Sequence, residues 1–154
     1  MTTLQQGDKA PLFTAKDQNG NTVSLEDYKG KTVVLYFYPK DDTPGCTAEA
    51  CDFRDNYQFL AAQGYEVIGV STDDEKSHKK FETKYNLPFV LIADSDQQIV
   101  NSYGVWVEKN MYGKKYMGTL RTTFIIDPEG IISNIISKVD TKNSSQQVLD
   151  LLKA

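Results

Sequence analysis

Hydrophobic positions along the chain fall into runs of two kinds. Thr32-Val-Val-Leu-Tyr-Phe-Tyr38 and Tyr65-Glu-Val-Ile-Gly-Val-Ser71 are nearly continuous, and rich in β-branched and aromatic residues. That pattern predicts strands buried on both faces. Leu87-Pro-Phe-Val-Leu-Ile-Ala93 predicts a third, shorter strand after a proline boundary. Between these runs the spacing turns helical. From Pro44, the apolar positions Ala48, Cys51, Phe53, Leu60 and Ala61 alternate with charges until Gly64. From Glu75 to Tyr85, Phe81 and Tyr85 share a face at i, i+4, with Thr72 or Asp73 as the expected cap.

The flanks add smaller elements. Phe13 to Lys16 and Thr22 to Ser24 surround Asn19-Gly20, a hairpin-turn signal. Ser24 to Tyr28 predicts a single helical turn. Asp94 or Ser95 is expected to cap a short helix over Gln97 to Tyr103, and Met111 to Leu120 reads as a loop with strand fragments. Arg121 to Ile126 and Ile131 to Ile136 flank the turn Asp127-Pro-Glu-Gly130 as a hairpin, and a last helix runs from Ser144 or Ser145 through Leu152. The order is that of a three-layer α/β domain with a mixed sheet, expected to form one domain over residues 1–154.

Composition narrows the function classes. Hydrophobic residues make up 40% of 154, with no run long enough to cross a membrane. Seventeen basic residues against twenty-one acidic ones give a net charge of −4. That balance leaves no footprint for nucleic acid or an anionic membrane. The first residues lack a basic and then apolar leader, so a cytoplasmic protein is expected. Two cysteines make no disulfide scaffold. With the lone His78 they fall short of four structural metal ligands. His78 lies in the charged run Asp73-Asp-Glu-Lys-Ser-His-Lys-Lys80 and is expected to be a solvated surface residue.

Both cysteines lie in Pro39-Lys-Asp-Asp-Thr-Pro-Gly-Cys46-Thr-Ala-Glu-Ala-Cys51, between the first buried strand and its helix. Thr43 followed by Pro44 predicts a hydroxyl N-cap and a proline at the first helical position. Cys46 is then the third helical residue, beside backbone N–H groups without intrahelical acceptors and at the positive end of the helix dipole. Such a place favours a thiolate, the nucleophilic form. Asp41, Asp42 and Glu49 would oppose it if close, with Lys40 and Arg54 as offsets. Five residues on, an ideal helix puts the Cys51 Cα roughly 8.6 Å from that of Cys46. A disulfide needs about 4.4–6.8 Å. Either the two never bridge, or the first turns of the helix unwind when they do.

Pro39, Thr43 and Cys46 reproduce a Pro-x-x-x-Thr-x-x-Cys motif, and this stretch resembles the peroxiredoxin Q subfamily of peroxiredoxins, also called bacterioferritin comigratory proteins. Arg121-Thr-Thr-Phe-Ile-Ile-Asp-Pro-Glu-Gly130 is similar to that family's second signature. The resemblance implies a thioredoxin-like fold with an N-terminal β extension, and a thiol-dependent peroxidase with no cofactor. It further implies Cys46 as the residue oxidised by peroxide to a sulfenic acid and Cys51 as the residue that resolves it to a disulfide. Pro39 would shield the sulfur. Thr43, the Cys46 amide and Arg121 would stabilise developing charge. Glu49 is either a solvated helix acid or the group that orients the arginine. A thioredoxin-type dithiol would be the reductant, and a monomer is expected. The loop from Trp106 to Met117, with Tyr112 and Tyr116, either walls an apolar pocket for bulky hydroperoxides or simply packs. Tyr36 and Phe37 line the site or the core. The rival readings are a non-catalytic thiol redox sensor and a general dithiol–disulfide oxidoreductase, the latter opposed by the missing Cys-x-x-Cys pair.

Overall fold

The computed structural model describes residues 2–152; Met1, Lys153 and Ala154 lie outside the described residues. Among the described residues nine strands and four α-helices follow one another. They are β1 (Thr14–Asp17), β2 (Thr22–Ser24), β3 (Thr32–Phe37), α1 (Pro44–Ala62), β4 (Tyr65–Ser71), α2 (Glu75–Tyr85), β5 (Val90–Ala93), α3 (Gln98–Ser102), β6 (Trp106–Met111), β7 (Lys114–Thr119), β8 (Thr122–Ile126), β9 (Ile132–Ile136) and α4 (Ser144–Leu152). A 3-10 turn covers Leu25–Tyr28. Seven strands form one sheet in the order β2-β1-β5-β4-β3-β8-β9, and β6 with β7 forms a separate ribbon.

Strand β3 is the axis of the sheet because it can be buried on both sides. It runs parallel to β4 and antiparallel to β8. Val33, Leu35 and Phe37 face one core with Ile68, Val70, Ile92, Tyr103 and Phe124. Val34, Tyr36 and Tyr38 face the other with Cys46, Phe53, Leu60, Phe81 and Val148. The first core is closed by Ile99 and Val100 of α3, the second by α1, α2 and α4. Each fully buried side chain of this size contributes about 1.5–3 kcal/mol. Gly69 of β4 pairs with Tyr36, and a Cβ there would lie 3.0 Å from the Tyr36 ring and hydroxyl. The missing side chain leaves room for the tyrosine to cross the strand.

The thioredoxin-like mixed sheet, its flanking helices and the extra N-terminal strands are as expected, and β4 and α2 occupy the expected residues. Four local readings need correction. The 111–120 stretch is no loop. It belongs to the β6–β7 hairpin, turned by Tyr112 and Gly113 at φ 53° and 83°. Two positive φ angles in a two-residue turn suit the twist of a hairpin. Helix α2 is capped by Asp74, whose carboxylate accepts from the Ser77 amide at 2.8 Å, because Asp73 is turned inward. Helix α3 is preceded by Gln97, while Asp94 accepts from the Ile99 and Val100 amides at 3.0 and 2.8 Å. The β5 strand starts only at Val90, although Leu87 and Phe89 are buried before it.

Candidate functional site

The register of β3 against β8 builds the site. Phe37 pairs with Thr122, so Arg121 arrives beside the end of β3, where the chain leaves for α1. This brings together residues 75 positions apart. Pro44 starts α1 and Cys46 is its third residue, 1% exposed. Arg121 Nη2 donates to Cys46 Sγ at 3.2 Å, and Arg121 Nη1 donates to Glu49 Oε1 at 2.9 Å. A planar guanidinium can serve both at once, as an ammonium cannot. Gly45 belongs to this arrangement: a Cβ there would lie 3.2 Å from Arg121 Nη2.

Glu49 is fully buried, which overturns its reading as a solvated acid. Its Oε2 accepts from the Ser144 hydroxyl at 3.0 Å. Burial pushes its carboxyl up to about 7, while the Arg121 charge and the Ser144 bond pull the other way. Burial works against the Arg121 charge, but the Cys46 sulfur and Glu49 outweigh it and hold that pKa above its ordinary value. Lys109 of β6 lies near enough to feel both Arg121 and Cys46; burial, then Arg121, lowers its pKa.

Thr43 stands at the N-cap with extended backbone, yet its hydroxyl makes no cap bond. It donates instead to the Lys40 carbonyl at 2.9 Å, closing the turn before the helix, so the expected hydroxyl cap is absent. Pro39 is half-buried at the start of that turn. Cys51 is half-buried, and both thiols are free in an unbroken α1. Tyr36 and Phe37 are core residues, and the Tyr36 hydroxyl is buried without a hydrogen-bond partner among the described residues.

Of the three acids expected to oppose the thiolate, Glu49 shares Arg121 with Cys46, whereas Asp41 and Asp42 are engaged elsewhere. Asp41 accepts from Tyr38 Oη at 2.6 Å and from Ser77 Oγ at 2.7 Å, and lies 2.7 Å from His78 Nδ1. Asp42, at φ 56°, accepts from Lys84 Nζ and Tyr85 Oη at 2.7 and 2.8 Å. Arg54, read as an offset for Cys46, is held by Asp55 and the Tyr85 carbonyl. Lys40 is exposed. His78 is the clearest correction: it is fully buried, not solvated. Its Nε2 faces the Ile92 carbonyl at 2.8 Å, which only accepts, so Nε2 carries hydrogen. Nδ1 faces the Asp41 carboxylate, so an imidazolium satisfies both contacts. Burial opposes the charge; the Asp41 bond and charge prevail and raise the His78 pKa.

One sequence signal would have found His78. Positions 78, 81 and 85 share a helix face, and Phe81 and Tyr85 were already read as that face. No signal of that kind points to Ser144 or Asp52. Asp52 Oδ2 accepts from the Ser145 amide at 2.7 Å, a contact between α1 and α4 set by tertiary packing. In the 106–117 stretch Trp106 packs against the first core, whereas Met111, Tyr112, Tyr116 and Met117 are exposed on the β6–β7 ribbon.

Comparison with known proteins places the chain in a family. Residues 6–135 match the model of the AhpC/TSA family. The chain is 48% identical to peroxiredoxin Bcp of Bacillus subtilis over 98% of its length and 96% of that protein. It is 43% identical to peroxiredoxin Bcp of Escherichia coli over 99% and 98%. Among solved structures, a mutant of Xylella fastidiosa PrxQ superposes with a TM-score of 0.93 at 32% identity, covering 99% of this chain and 98% of that one. The bacterioferritin comigratory protein of Xanthomonas campestris, studied for alkyl peroxide reduction, superposes at 0.87 with 34% identity over 99% and 98%.

Proposed function

The chain belongs to the AhpC/TSA family and is a thiol-dependent peroxidase, and we propose that Cys46 is its nucleophile and Cys51 its resolving thiol. The carrying observation is the 3.2 Å bond from Arg121 Nη2 to Cys46 Sγ. A guanidinium at that distance favours the thiolate and faces the place where charge develops.

The sulfur attacks one oxygen of the O–O bond, the bond breaks, and the other oxygen leaves as an alcohol or water after taking a proton. Cys46 ends as a sulfenic acid. Arg121 steadies the thiolate and the departing oxygen. The Cys46 amide, in the first helical turn without an intrahelical acceptor, supplies another donor. The Thr43 hydroxyl exchanges the Lys40 carbonyl for a peroxide oxygen, and Pro39 covers the sulfur from water. Glu49 orients Arg121. Cys51 then displaces hydroxide from the sulfenic sulfur: Cys46–SOH and Cys51–SH become a disulfide and water. The ideal-helix separation of roughly 8.6 Å means that the first turns of α1 unwind for this step. A dithiol protein of the thioredoxin type returns both thiols by exchange. We read the protein as a cytoplasmic, single-domain monomer, since the resolving thiol lies in the same chain.

The test is a thiol count on reduced protein before and after one equivalent of hydrogen peroxide, with non-reducing mass analysis. Two thiols falling to none, with the loss of two hydrogens and no intermolecular bond, is the expected result. Cys51→Ser then traps a sulfenic acid on Cys46. Persistence of both thiols at modest peroxide excess overturns the assignment. Repeated turnover with a dithiol reductant distinguishes a peroxidase from a sensor that oxidises once.

A further inference from the structure

The unwinding of α1 must break specific contacts, and these come largely from one segment. Glu49 lies between the two cysteines and Asp52 follows the second. The two acids are three residues apart, so they share a helix face. Against that face lies the segment entering α4. Thr141 Cγ2 would be 3.8 Å from a Cβ on Gly45. Ser144 Oγ lies 3.0 Å from Glu49 Oε2, and the Ser145 amide 2.7 Å from Asp52 Oδ2. Ser144 and Ser145 are 2% and 4% exposed.

The segment is itself fixed. The Asp140 carboxylate accepts from the Lys142 amide and Asn143 Nδ2, and the Asp140 amide donates to Gln147 Oε1. The Asp140 carbonyl lies 2.9 Å from Ser144 Oγ and offers its proton a second acceptor. At the other end of the stretch, Asp41 and Asp42 are tied to α2. Residues 43–51 are thus bounded by two anchors, and inside the bounds Glu49 makes the polar contact to the α4 entry segment, beside the Cys46–Arg121 bond and the Thr43 hydroxyl bond to Lys40.

We propose that Ser144 is a positioning residue and the α4 entry segment a latch on α1. Closed, it holds Glu49 and, through it, Arg121 on the Cys46 sulfur. Its release sets how fast Cys51 reaches the oxidised Cys46. The proposal rests on the Cys46–Cys51 reading above. It requires no further oxidant, since disulfide closure from the sulfenic acid releases only water. Sequence spacing gives no hint of it, because residues 49 and 144 meet only in the fold.

The experiment is a single turnover of the full chain with one equivalent of hydrogen peroxide, quenched at intervals. A dimedone adduct reports sulfenic acid and the non-reducing mass reports disulfide. Wild type, Ser144→Ala, Ser144→Thr and Asp52→Asn are compared at pH 8. A hydrogen bond to a charged group is strong enough that its loss opens the latch about tenfold more often. Ser144→Ala is therefore expected to close the disulfide about tenfold faster while forming the sulfenic acid more slowly. Ser144→Thr, which keeps the hydroxyl, restores both rates. A purely structural defect does not produce opposite changes in two consecutive steps. A second readout is a carbon-13 carboxyl titration of Glu49: without the Ser144 donor its midpoint moves above about 7. Should Ser144→Ala not fold, Asp52→Asn carries the test, with closure expected to be faster than in wild type. Wild type that closes normally beside folded variants closing no faster overturns the latch alone. Wild type that keeps both thiols overturns the cysteine cycle and the latch with it.

Discussion

Two buried ionic clusters flank the start of α1, and they differ in what they leave open. Around Cys46, Arg121 bridges a sulfur and a carboxylate, and its side chain keeps 22% of its surface exposed. Around Asp41, His78 and its partner are 0% and 4% exposed, and Tyr38, Ser77 and the Ile92 carbonyl complete their hydrogen bonds. The first cluster holds the sulfur we propose as the nucleophile, beside a cation that is partly exposed. The second has no spare valence and no entrance. It fixes the loop of residues 39–43 to α2, with Asp73 holding the Asp41 amide at 2.8 Å. Both use buried charge, and on the proposed reading one serves chemistry and the other geometry. Partial exposure of the cation tells them apart.

The largest expected effect comes from the open cluster. Arg121→Lys keeps the charge but loses the plane that spans Cys46 and Glu49. The peroxide step, measured as sulfenic acid formation in a Cys51→Ser background, is expected to slow by about 10²–10³, the loss typical of one donor to developing charge. The melting temperature should change little, because Glu49 can hold a proton near neutrality. A rate within threefold of the parent would mean that the arginine is an ordinary edge charge.

The sealed cluster should show the opposite signature. Asp41→Ala leaves His78 without its carboxylate in a site closed to water. Breaking one side of a buried pair typically costs about 3–5 kcal/mol. Urea unfolding should report a loss of that size, with the denaturant slope unchanged. The protein that remains folded should react with peroxide within a few-fold of wild type. A large fall in the peroxide rate with little loss of stability would reverse the roles assigned to the two clusters.

How much of this was readable in the sequence follows the same division. Strand β3, the Thr-Pro helix start and the cysteine spacing are local patterns, and they located Cys46 and its helix. Arg121 is remote by 75 positions, and only its motif, not any periodicity, pointed to it. The charge of His78's neighbours suggested a solvated face, because six of the seven other residues from Asp73 to Lys80 are Asp, Glu or Lys. Helical phase, which sets His78 with Phe81 and Tyr85, was the better guide. Thr43 illustrates the limit of residue type. A hydroxyl before proline can cap the helix or turn back to a carbonyl, and here the Lys40 carbonyl wins. Ser144 lay beyond reach: its bond to Glu49 depends on how α4 packs on α1, and a serine at a helix start is ordinary.

The smallest effect separates the clusters by pH. Both carry a group whose pKa is raised by folding, so the folded chain keeps a proton that the unfolded chain releases. Stability from each is full below the unfolded value and is lost as pH rises through the folded one. For Glu49 the window runs from 4.5 to about 7. Its full loss is on the order of 3 kcal/mol, since each unit is worth about 1.4 kcal/mol. For His78 the window opens at 6.5 and ends at its raised folded value. Urea unfolding of reduced protein at intervals from pH 4.5 to 8.5 should therefore show stability declining in two overlapping stages. Glu49→Gln is expected to flatten the acid stage alone, and His78→Gln the stage above pH 6.5 alone. A variant that flattens the other's window would mean that the clusters titrate as one unit through α1. Unchanged slopes in both variants would mean that neither proton is held by the fold.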